Sequence, residues 1–386
     1  MDKVIVKELY SLIKSREKDF TGLTRQIWEK PELGFEEKFA CARQLELLKE
    51  LGFSTESPYA GVETAYKAVK GSKKPVFCFA AEYDAIPELG HGCGHNLICA
   101  AAIAAGWALC SKLEEKGIDG TVVVMGTPGE ESKGGKVIML KNHALDGIDA
   151  VMMVHPSWRT TPDTGSTAIR RFDVNFSGKS AHAAAAPELG LNALDAVVML
   201  FTGINAWRQQ LPEASRIHGV VSNGGNLPNI IPSSASCRFF LRSPDDSVLD
   251  KMEARFMDIV KGAALMTGTG FEVNPVNVPY KSRRPNQGLN RIYMDAVSEL
   301  GMKPVFPLHP GRGSSDFGDF SHACPGIHPY FGIADREIAG HSVAFAEAAG
   351  SNYAMEQMLK AAAAMASTGY NFIKDKEFNL EVISGK

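Results

Sequence analysis

Side chains that can bind a metal or move a proton are concentrated in four short loop-like segments of the sequence. They are Cys93 and His95, the pair Glu130 and Glu131, His155, and His341. Thiolate and imidazole are good zinc ligands, and carboxylates can bridge two cations. Adjacent glutamates would repel each other if buried alone, but a dication removes that penalty for one and leaves the other able to accept a proton. The residue types are those of a hydrolytic metal centre.

The segments that must position these side chains have the pattern of an α/β layered domain. Short apolar runs at 76–81, 121–126 and 150–155 predict strands, and the Ala-rich run 97–110 predicts a buried helix between them. This alternation predicts a mixed, mostly parallel sheet flanked by helices. Because ligands bind outside the carboxyl ends of strands in open α/β sheets, the four segments are expected to converge on one crevice.

Taken singly, each of these residues has an ordinary structural explanation. A buried cysteine is usually a small apolar core residue, and an adjacent pair of glutamates is usually a solvated surface feature. A histidine before proline at a strand end is more often packed or capping. The prediction of a metal site therefore rests on all four segments reaching the same edge of one predicted sheet.

The middle of the chain follows a different pattern. Strand and helix signals alternate in the order β-α-β-β-α-β, at 169–176, 192–211, 216–222, 235–241, 247–267 and 271–278. This order is that of a ferredoxin-like α+β domain. Turn-rich stretches at 162–165 and 281–288 mark its limits. We therefore predict a catalytic domain at 1–167 and 285–386, interrupted by an inserted lid or dimerisation domain at 168–284. In the catalytic domain, helices are predicted at 3–29, 36–51, 289–300 and 344–367, and a further strand is predicted at 327–333.

Composition excludes several classes of function. The chain has 45% hydrophobic and 22% charged residues and a net charge of −3, without a block of like charge. We therefore expect no nucleic-acid partner and no membrane partner. The N-terminus lacks the pattern of a signal peptide, and seven cysteines without paired spacing do not predict a disulfide framework. We expect a cytoplasmic protein.

Seven longer strings surround or accompany these residues. They occur in the order PELGFEE (31–37), EYDAIPELGHGCGHN (82–96), GTPGEE (126–131), GKSAHAA (178–184), NIIP (229–232), GSSDFGDFSH (313–322) and GHSVAFAEAA (340–349). In this order the chain resembles the M20 metallopeptidase family of aminoacylases and carboxypeptidases. The resemblance is strongest to its amidohydrolase branch, which includes p-aminobenzoyl-glutamate hydrolases and related dipeptidases, and it covers nearly the whole chain.

The resemblance implies a role for each residue of the metal segments. Cys93 would bridge two divalent metal ions, and His95, Glu131, His155 and His341 would complete their coordination. Glu130 would be the general base, and Asp84 would orient a ligand. The thiolate favours zinc, although manganese, cobalt or nickel could support turnover. Other branches have His-x-Asp where this chain reads Glu82-Tyr83-Asp84, so Glu82 is left without a role.

The resemblance also implies that the inserted domain takes part in the reaction. His182 would donate a hydrogen bond to the developing oxyanion, often across a dimer, which predicts a homodimer through that domain. Asn229 and Arg242 would hold the substrate's carboxylate, although the first could be a turn residue and the second a surface charge. The glycine-rich segment 311–316 lacks the ending of a phosphate loop, so Ser315 is expected to line the substrate pocket.

The leading hypothesis is a metal-dependent hydrolase, of aminoacylase or dipeptidase type, that cleaves the amide bond of an N-acyl or N-aroyl amino acid or a dipeptide. One alternative keeps the site but removes an amino group from an aromatic amino-acid-like substrate. A second alternative is a non-catalytic binding protein on a hydrolase fold. The intact set of ligands together with Glu130 argues against the latter.

Overall fold

The computed structural model describes residues 3–131, 133–307, 311 and 313–385 of the 386. The chain forms two compact units. The first unit comprises Met1–Gly165, Arg283–Gly311 and Asp316–Lys386, and the second comprises Ser166–Ser282 and Arg312–Ser315. The short segment Arg312–Ser315 therefore groups with the inserted unit, whereas the sequence expectation placed it in the outer one.

A six-stranded sheet forms the centre of the first unit. With strands numbered in chain order, it contains β1 (Ser54–Glu56), β2 (Tyr66–Gly71), β3 (Val76–Ala81), β4 (Thr121–Gly126), β5 (Ala150–Met152) and β11 (Gly326–Ile327). Their order is β1-β2-β4-β3-β5-β11. β4, β3, β5 and β11 run parallel, and β2 is antiparallel to both of its neighbours. The carboxyl ends of β4, β3 and β5 thus lie side by side, as the sequence predicts.

Helices cover this sheet, and a separate two-stranded sheet belongs to the same unit. The helices, again in chain order, are α1 (Lys3–Ser15), α2 (Glu17–Glu29), α3 (Lys38–Glu50), α4 (His95–Lys116), α5 (Gly135–Lys141), α8 (Gln287–Glu299), α9 (Phe317–Ala323), α10 (Val343–Ala349), α11 (Asn352–Lys374) and α12 (Lys376–Ser384). The separate parallel pair consists of β6 (His155–Ser157) and β12 (Tyr330–Gly332). The mixed, mostly parallel sheet flanked by helices is confirmed.

The central helix α4 packs unusually closely on the sheet because small residues line it. A Cβ at Gly106 would lie 2.5 Å from Cγ2 of Val124 on β4, so this contact tolerates only glycine. By length and apolar composition α4 could cross a membrane, but 89% of its most apolar window is buried inside the unit. It is the core helix predicted from the Ala-rich run.

The second unit has the predicted β-α-β-β-α-β order. Its elements are β7 (Ala168–Ser177), α6 (Ala193–Trp207), β8 (Arg216–Asn223), β9 (Ser234–Ser243), α7 (Asp246–Thr267) and β10 (Gly270–Pro275). The strands form one antiparallel sheet in the order β10-β7-β9-β8. Alternate residues of β7 and β9 pack against α6 and α7 around their own hydrophobic core. The ferredoxin-like arrangement is therefore present.

Four predicted elements of the first unit differ from those observed. The predicted strand 150–155 ends at Met152 in β5, and His155 begins β6. The single N-terminal helix is two helices, because Arg16 leaves helical geometry. The predicted strand 327–333 is divided into β11 and β12. The closing helix is divided into α10 and α11 at Gly350, where a Cβ would lie 2.5 Å from the Trp28 ring and where Ser351 caps the next helix. Each break is set by local geometry that hydrophobic periodicity does not record.

Candidate metal centre

The loop before α4 places Cys93 and His95 at the carboxyl edge of the sheet. Between them, Gly94 adopts a left-handed backbone with φ 75°, and a Cβ there would lie 2.5 Å from the ring of Pro156. Glycine therefore lets the loop turn both side chains inward and approach β6 closely. His341 is bound to the same loop, because its backbone N–H donates to the carbonyl of Gly92 at 2.9 Å.

The Glu130–Glu131 loop after β4 is held by similar close contacts. Gly129 has φ 72°, and a Cβ at Gly135 would lie 1.8 Å from the carbonyl oxygen of Pro128. The side chain of Asp84, after β3, accepts the backbone N–H of Glu131 at 3.0 Å. The loops that follow β3 and β4 are therefore bound to one another at the sheet edge.

These loops bring the five predicted metal ligands together. Cys93 Sγ lies 3.3 Å from His155 Nε2, and Glu131 Oε1 lies 3.5 Å from His341 Nε2 and 3.9 Å from His95 Nε2. The ligand atoms of three groups each lie within 4.8 Å of one another: Cys93, His95 and His155; Cys93, Glu131 and His341; His95, Glu130 and Glu131. Cys93, His95 and Glu131 each belong to two of these groups, so the three groups form one connected cluster.

Hydrogen bonds fix which nitrogen of each imidazole faces the centre. Asp84 Oδ1 lies 3.0 Å from His95 Nδ1, and His155 Nδ1 donates to the Pro156 carbonyl at 2.7 Å. The Nε2 atom of each ring is therefore left facing the other metal-capable atoms. Second partners of this kind hold and orient histidine ligands in metal sites. The predicted orienting role of Asp84 has this geometric basis.

Several buried atoms of this site lack a hydrogen-bond partner among the described residues, and a divalent cation could take that place. Within the described part of the chain, His95 Nε2, Glu131 Oε1 and Glu82 Oε2 are buried without a hydrogen-bond partner. An unsatisfied buried polar group costs on the order of 1–3 kcal/mol. Burial, reinforced by the neighbouring Glu131 carboxylate, raises the pKa of Glu130 well above its ordinary value. Cations between these groups would satisfy the atoms and stabilise the charged forms.

The structure also reveals charged residues that sequence reasoning missed. Lys136, on α5, contacts Glu82 and lies 2.7 Å from Asp316 Oδ1, and all three side chains are at most 1% exposed. His328 is buried and its ring stacks on His155 at a centroid distance of 5.3 Å. Glu82 and Asp316 stand in the EYDAIPELGHGCGHN and GSSDFGDFSH strings, but neither string gave them a role, and no string contains Lys136 or His328.

Glu37, at the end of the PELGFEE string, is a buried acid behind the Glu130 loop. It accepts a hydrogen bond from the Thr64 hydroxyl at 2.9 Å. Burial, with the Asp84 charge nearby, raises its pKa to about 7. Its ionisation therefore opposes folding, because the folded-state pKa lies above the ordinary value of about 4.3.

We expect this group to make the metal-free protein less stable as pH rises. The contribution of Glu37 to the free energy of unfolding is fully present below about pH 4.3 and is lost as pH rises through about 7. The loss lowers the free energy of unfolding by on the order of 3 kcal/mol. Glu37→Gln should flatten the fall in urea-unfolding free energy between pH 5.5 and 8. The exposed neighbour offers the control Glu36→Gln, which should keep the wild-type pH slope. Equal slopes in the two variants would contradict the assignment.

In the second unit, His182 and Asn229 lie on adjacent extended segments. The Ala183 N–H donates to the Asn229 carbonyl at 3.0 Å, and His182 pairs with Ile230 in an antiparallel bridge. His182 Nδ1 accepts the N–H groups of Ala184 and Ala185 at 3.2 and 3.1 Å. Because Nδ1 is an acceptor, the proton of the neutral ring is on Nε2, which is then a hydrogen-bond donor.

Arg242 and Ser315 occupy a different part of the second unit. Arg242, on β9, donates to the Ser314 hydroxyl at 2.9 Å, and burial lowers its pKa below the ordinary arginine value. It is therefore half-buried rather than a simple surface charge. Ser315 is 8% exposed, and Arg312 of the same glycine-rich segment lies outside the described residues. The substrate roles of these residues remain predictions.

Comparisons with known proteins found matches over most of the chain. The family model described as Peptidase family M20/M25/M40 matches residues 78–369. The chain is 36% identical to the Xaa-Arg dipeptidase of Mus musculus over 367 residues, covering 91% of this chain and 85% of the relative. It is 27% identical to the N-acetyl-L-cysteine deacetylase of Bacillus subtilis (strain 168) over 367 residues, covering 86% and 84%.

The fold has solved counterparts as well. The Bacillus subtilis YXEP protein, described as a dinuclear metal-binding peptidase from the M20 family, superposes with a TM-score of 0.71 at 20% identity. The match covers 92% of this chain and 99% of that one. At this identity the likeness concerns the fold, and it extends over both units of the chain.

Proposed function

Because the chain belongs to peptidase family M20/M25/M40 and is thus a hydrolase of carbon–nitrogen bonds, we propose that it cleaves an amide bond with two divalent cations. The observation that carries this proposal is the convergence of the Cys93, His95, His155 group and the Cys93, Glu131, His341 group around one shared thiol. The substrate proposed is an N-acyl or N-aroyl amino acid or a dipeptide.

The residues would divide the chemistry as follows. Bound at these groups, two divalent cations would polarise the scissile carbonyl and lower the pKa of a water molecule. Glu130, next to the ligand Glu131, would accept the proton of that water and pass it to the leaving nitrogen. The thiolate of Cys93 favours zinc, and manganese, cobalt or nickel are alternatives.

The second unit would supply the remaining contacts to the substrate. The Nε2–H of His182 is available to stabilise the oxyanion, since Nδ1 is occupied by two backbone N–H groups. Arg242 offers a planar guanidinium for the substrate's terminal carboxylate, with Asn229 and Ser315 as further polar contacts. In the first unit, Asp84 would hold His95 and the Glu131 backbone in place.

A substrate panel tests this function. Metal-reconstituted protein should release an amino acid from at least one of three classes: N-acyl amino acids, aroyl-glutamates, and dipeptides, including those with a C-terminal arginine. Turnover should stop on chelation and return with metal. Aromatic amines are assayed for ammonia beside this panel, and release of ammonia from them without amide cleavage would make the site that of a deaminase. A protein that binds no metal after reconstitution would support the non-catalytic alternative.

We further propose that the chain forms a homodimer through β8, one of the two edge strands of the sheet in the second unit. An edge strand has unpaired backbone groups, and here it also exposes Val220 and Val221, at 62% and 51%. Val220→Lys with Val221→Lys should convert the dimer to a monomer in light scattering. Leu380→Lys, at an exposed position of the first unit, is the control and should remain dimeric. A monomeric wild type would contradict the proposal.

A further inference from the structure

Glu82, Lys136 and Asp316 form a buried charged cluster beside the metal centre. The three side chains are at most 1% exposed, and Lys136 Nζ contacts one oxygen of each carboxylate. One lysine can neutralise only one ionised carboxylate, and two carboxyl groups contact it. Burial of an uncompensated charge is costly, and such groups are normally paired or bound to a metal.

The two carboxylates of this cluster differ in how many of their oxygens have a hydrogen-bond partner. Both oxygens of Asp316 bind Lys136, Oδ1 to Nζ at 2.7 Å and Oδ2 to the backbone N–H at 2.9 Å. Glu82 binds Lys136 through Oε1 alone, and its buried Oε2 has no hydrogen-bond partner among the described residues. Among the four carboxylate oxygens of the cluster, the one left without a hydrogen-bond partner in the described part of the chain is therefore Oε2 of Glu82.

The unpartnered oxygen of Glu82 faces a proposed metal ligand. Glu82 Oε2 lies 3.5 Å from His95 Nε2, which itself lacks a hydrogen-bond partner within the described chain. Two ligand atoms on a tetrahedral zinc ion are separated by about 3.4 Å, given bond lengths of about 2.1 Å. The spacing allows one cation to interact with both atoms.

We propose that Glu82 is a further residue of the metal centre, whose Oε2 stabilises the cation bound at His95 Nε2. Lys136 and Asp316 act as positioning residues that hold Glu82 in this orientation. The inference rests on the proposed metal-dependent function and adds a residue that sequence reasoning leaves without a role. It also explains why a lysine without any solvent exposure lies between two acids at this edge of the sheet.

Zinc titration of the metal-free full-length protein tests the inference, with Glu82→Gln as the variant. We expect affinity for one of two zinc ions to fall by about 10- to 100-fold, in the range seen when metal-site partners are removed. With cobalt as the probe, the visible absorption of that one ion should change. Asp316→Asn is the matched control, because it removes the carboxylate that does not face His95 and should cause a smaller loss.

The outcomes separate this inference from the function on which it rests. Equal losses of affinity in Glu82→Gln and Asp316→Asn, with an unchanged cobalt spectrum in both, would show that the cluster is only structural. A wild type that binds no zinc would instead contradict the metal-dependent function itself. If Glu82→Gln does not fold, Glu82→Asp keeps the charge but withdraws the oxygen, and the same loss at one zinc ion is expected.

Discussion

Glu130→Gln is expected to lower kcat by about 10²- to 10⁴-fold, the usual contribution of a general base, while both metal ions stay bound. The amide keeps the shape of the side chain but cannot accept the proton of the attacking water. KM should change little, because Glu130 makes no proposed contact with the ground-state substrate. Steady-state kinetics on the best substrate of the panel, combined with metal analysis of the same sample, measures both effects.

Glu131→Gln is the comparison variant for this experiment. Glu131 is a proposed ligand, with Oε1 3.5 Å from His341 Nε2, so its replacement should weaken metal binding as well as turnover. Adjacent positions in one loop would then give different results. Glu130→Gln would lose activity and keep its metal ions, whereas Glu131→Gln would lose metal. Full activity of Glu130→Gln would show that another group accepts the proton.

Cys93→Ala is expected to have the largest effect on metal content. Cys93 belongs to the group with His155 and to the group with His341, so its loss should weaken binding of two ions, whereas His155 and His341 each belong to one group only. We expect less than one tightly bound zinc ion per chain after dialysis and no detectable turnover. Metal analysis and zinc titration measure the change.

Cys99→Ala is the matched control for this variant. Cys99 is a fully buried thiol on α4, the helix that follows the Cys93 loop, but its sulfur donates to the Asn96 carbonyl at 3.4 Å and belongs to none of the ligand groups. It should retain both ions at a small cost in stability. Two tightly bound zinc ions in Cys93→Ala would rule out the bridging role.

The fold could be predicted largely from local patterns. The apolar runs at 76–81 and 121–126 become β3 and β4 with the same bounds, and the order of elements in the insert predicts the sheet β10-β7-β9-β8. Periodicity reports burial over a few residues, which suffices for strands and long helices. It does not report the close approach of Gly350 to Trp28, and so the break between α10 and α11 was missed.

The proximity of the candidate ligands was also predictable, because Cys93, His95 and Glu131 stand in long and chemically coherent strings. His155 follows a predicted strand, whereas His341 rested more on the family resemblance than on its local pattern. His95 and Asp84, for example, are 11 residues apart within one motif and lie 3.0 Å apart in the structure. The cluster around Lys136 was not predictable in this way. Its partners Glu82 and Asp316 are 54 and 180 residues away along the chain.

By itself, the sequence determined the class of chemistry. The thiol of Cys93, the imidazole of His95 and the carboxylates of the Glu130–Glu131 pair are together the side chains of a metal hydrolase. Only the tertiary structure decided which atoms of these residues face one another and which second partners orient them. It also placed Glu82 between a lysine from another part of the chain and His95, and this placement is the basis of the role proposed for Glu82. The physical reason is that the cost of a buried charge depends on its neighbours in space, which strand order and helix packing bring together.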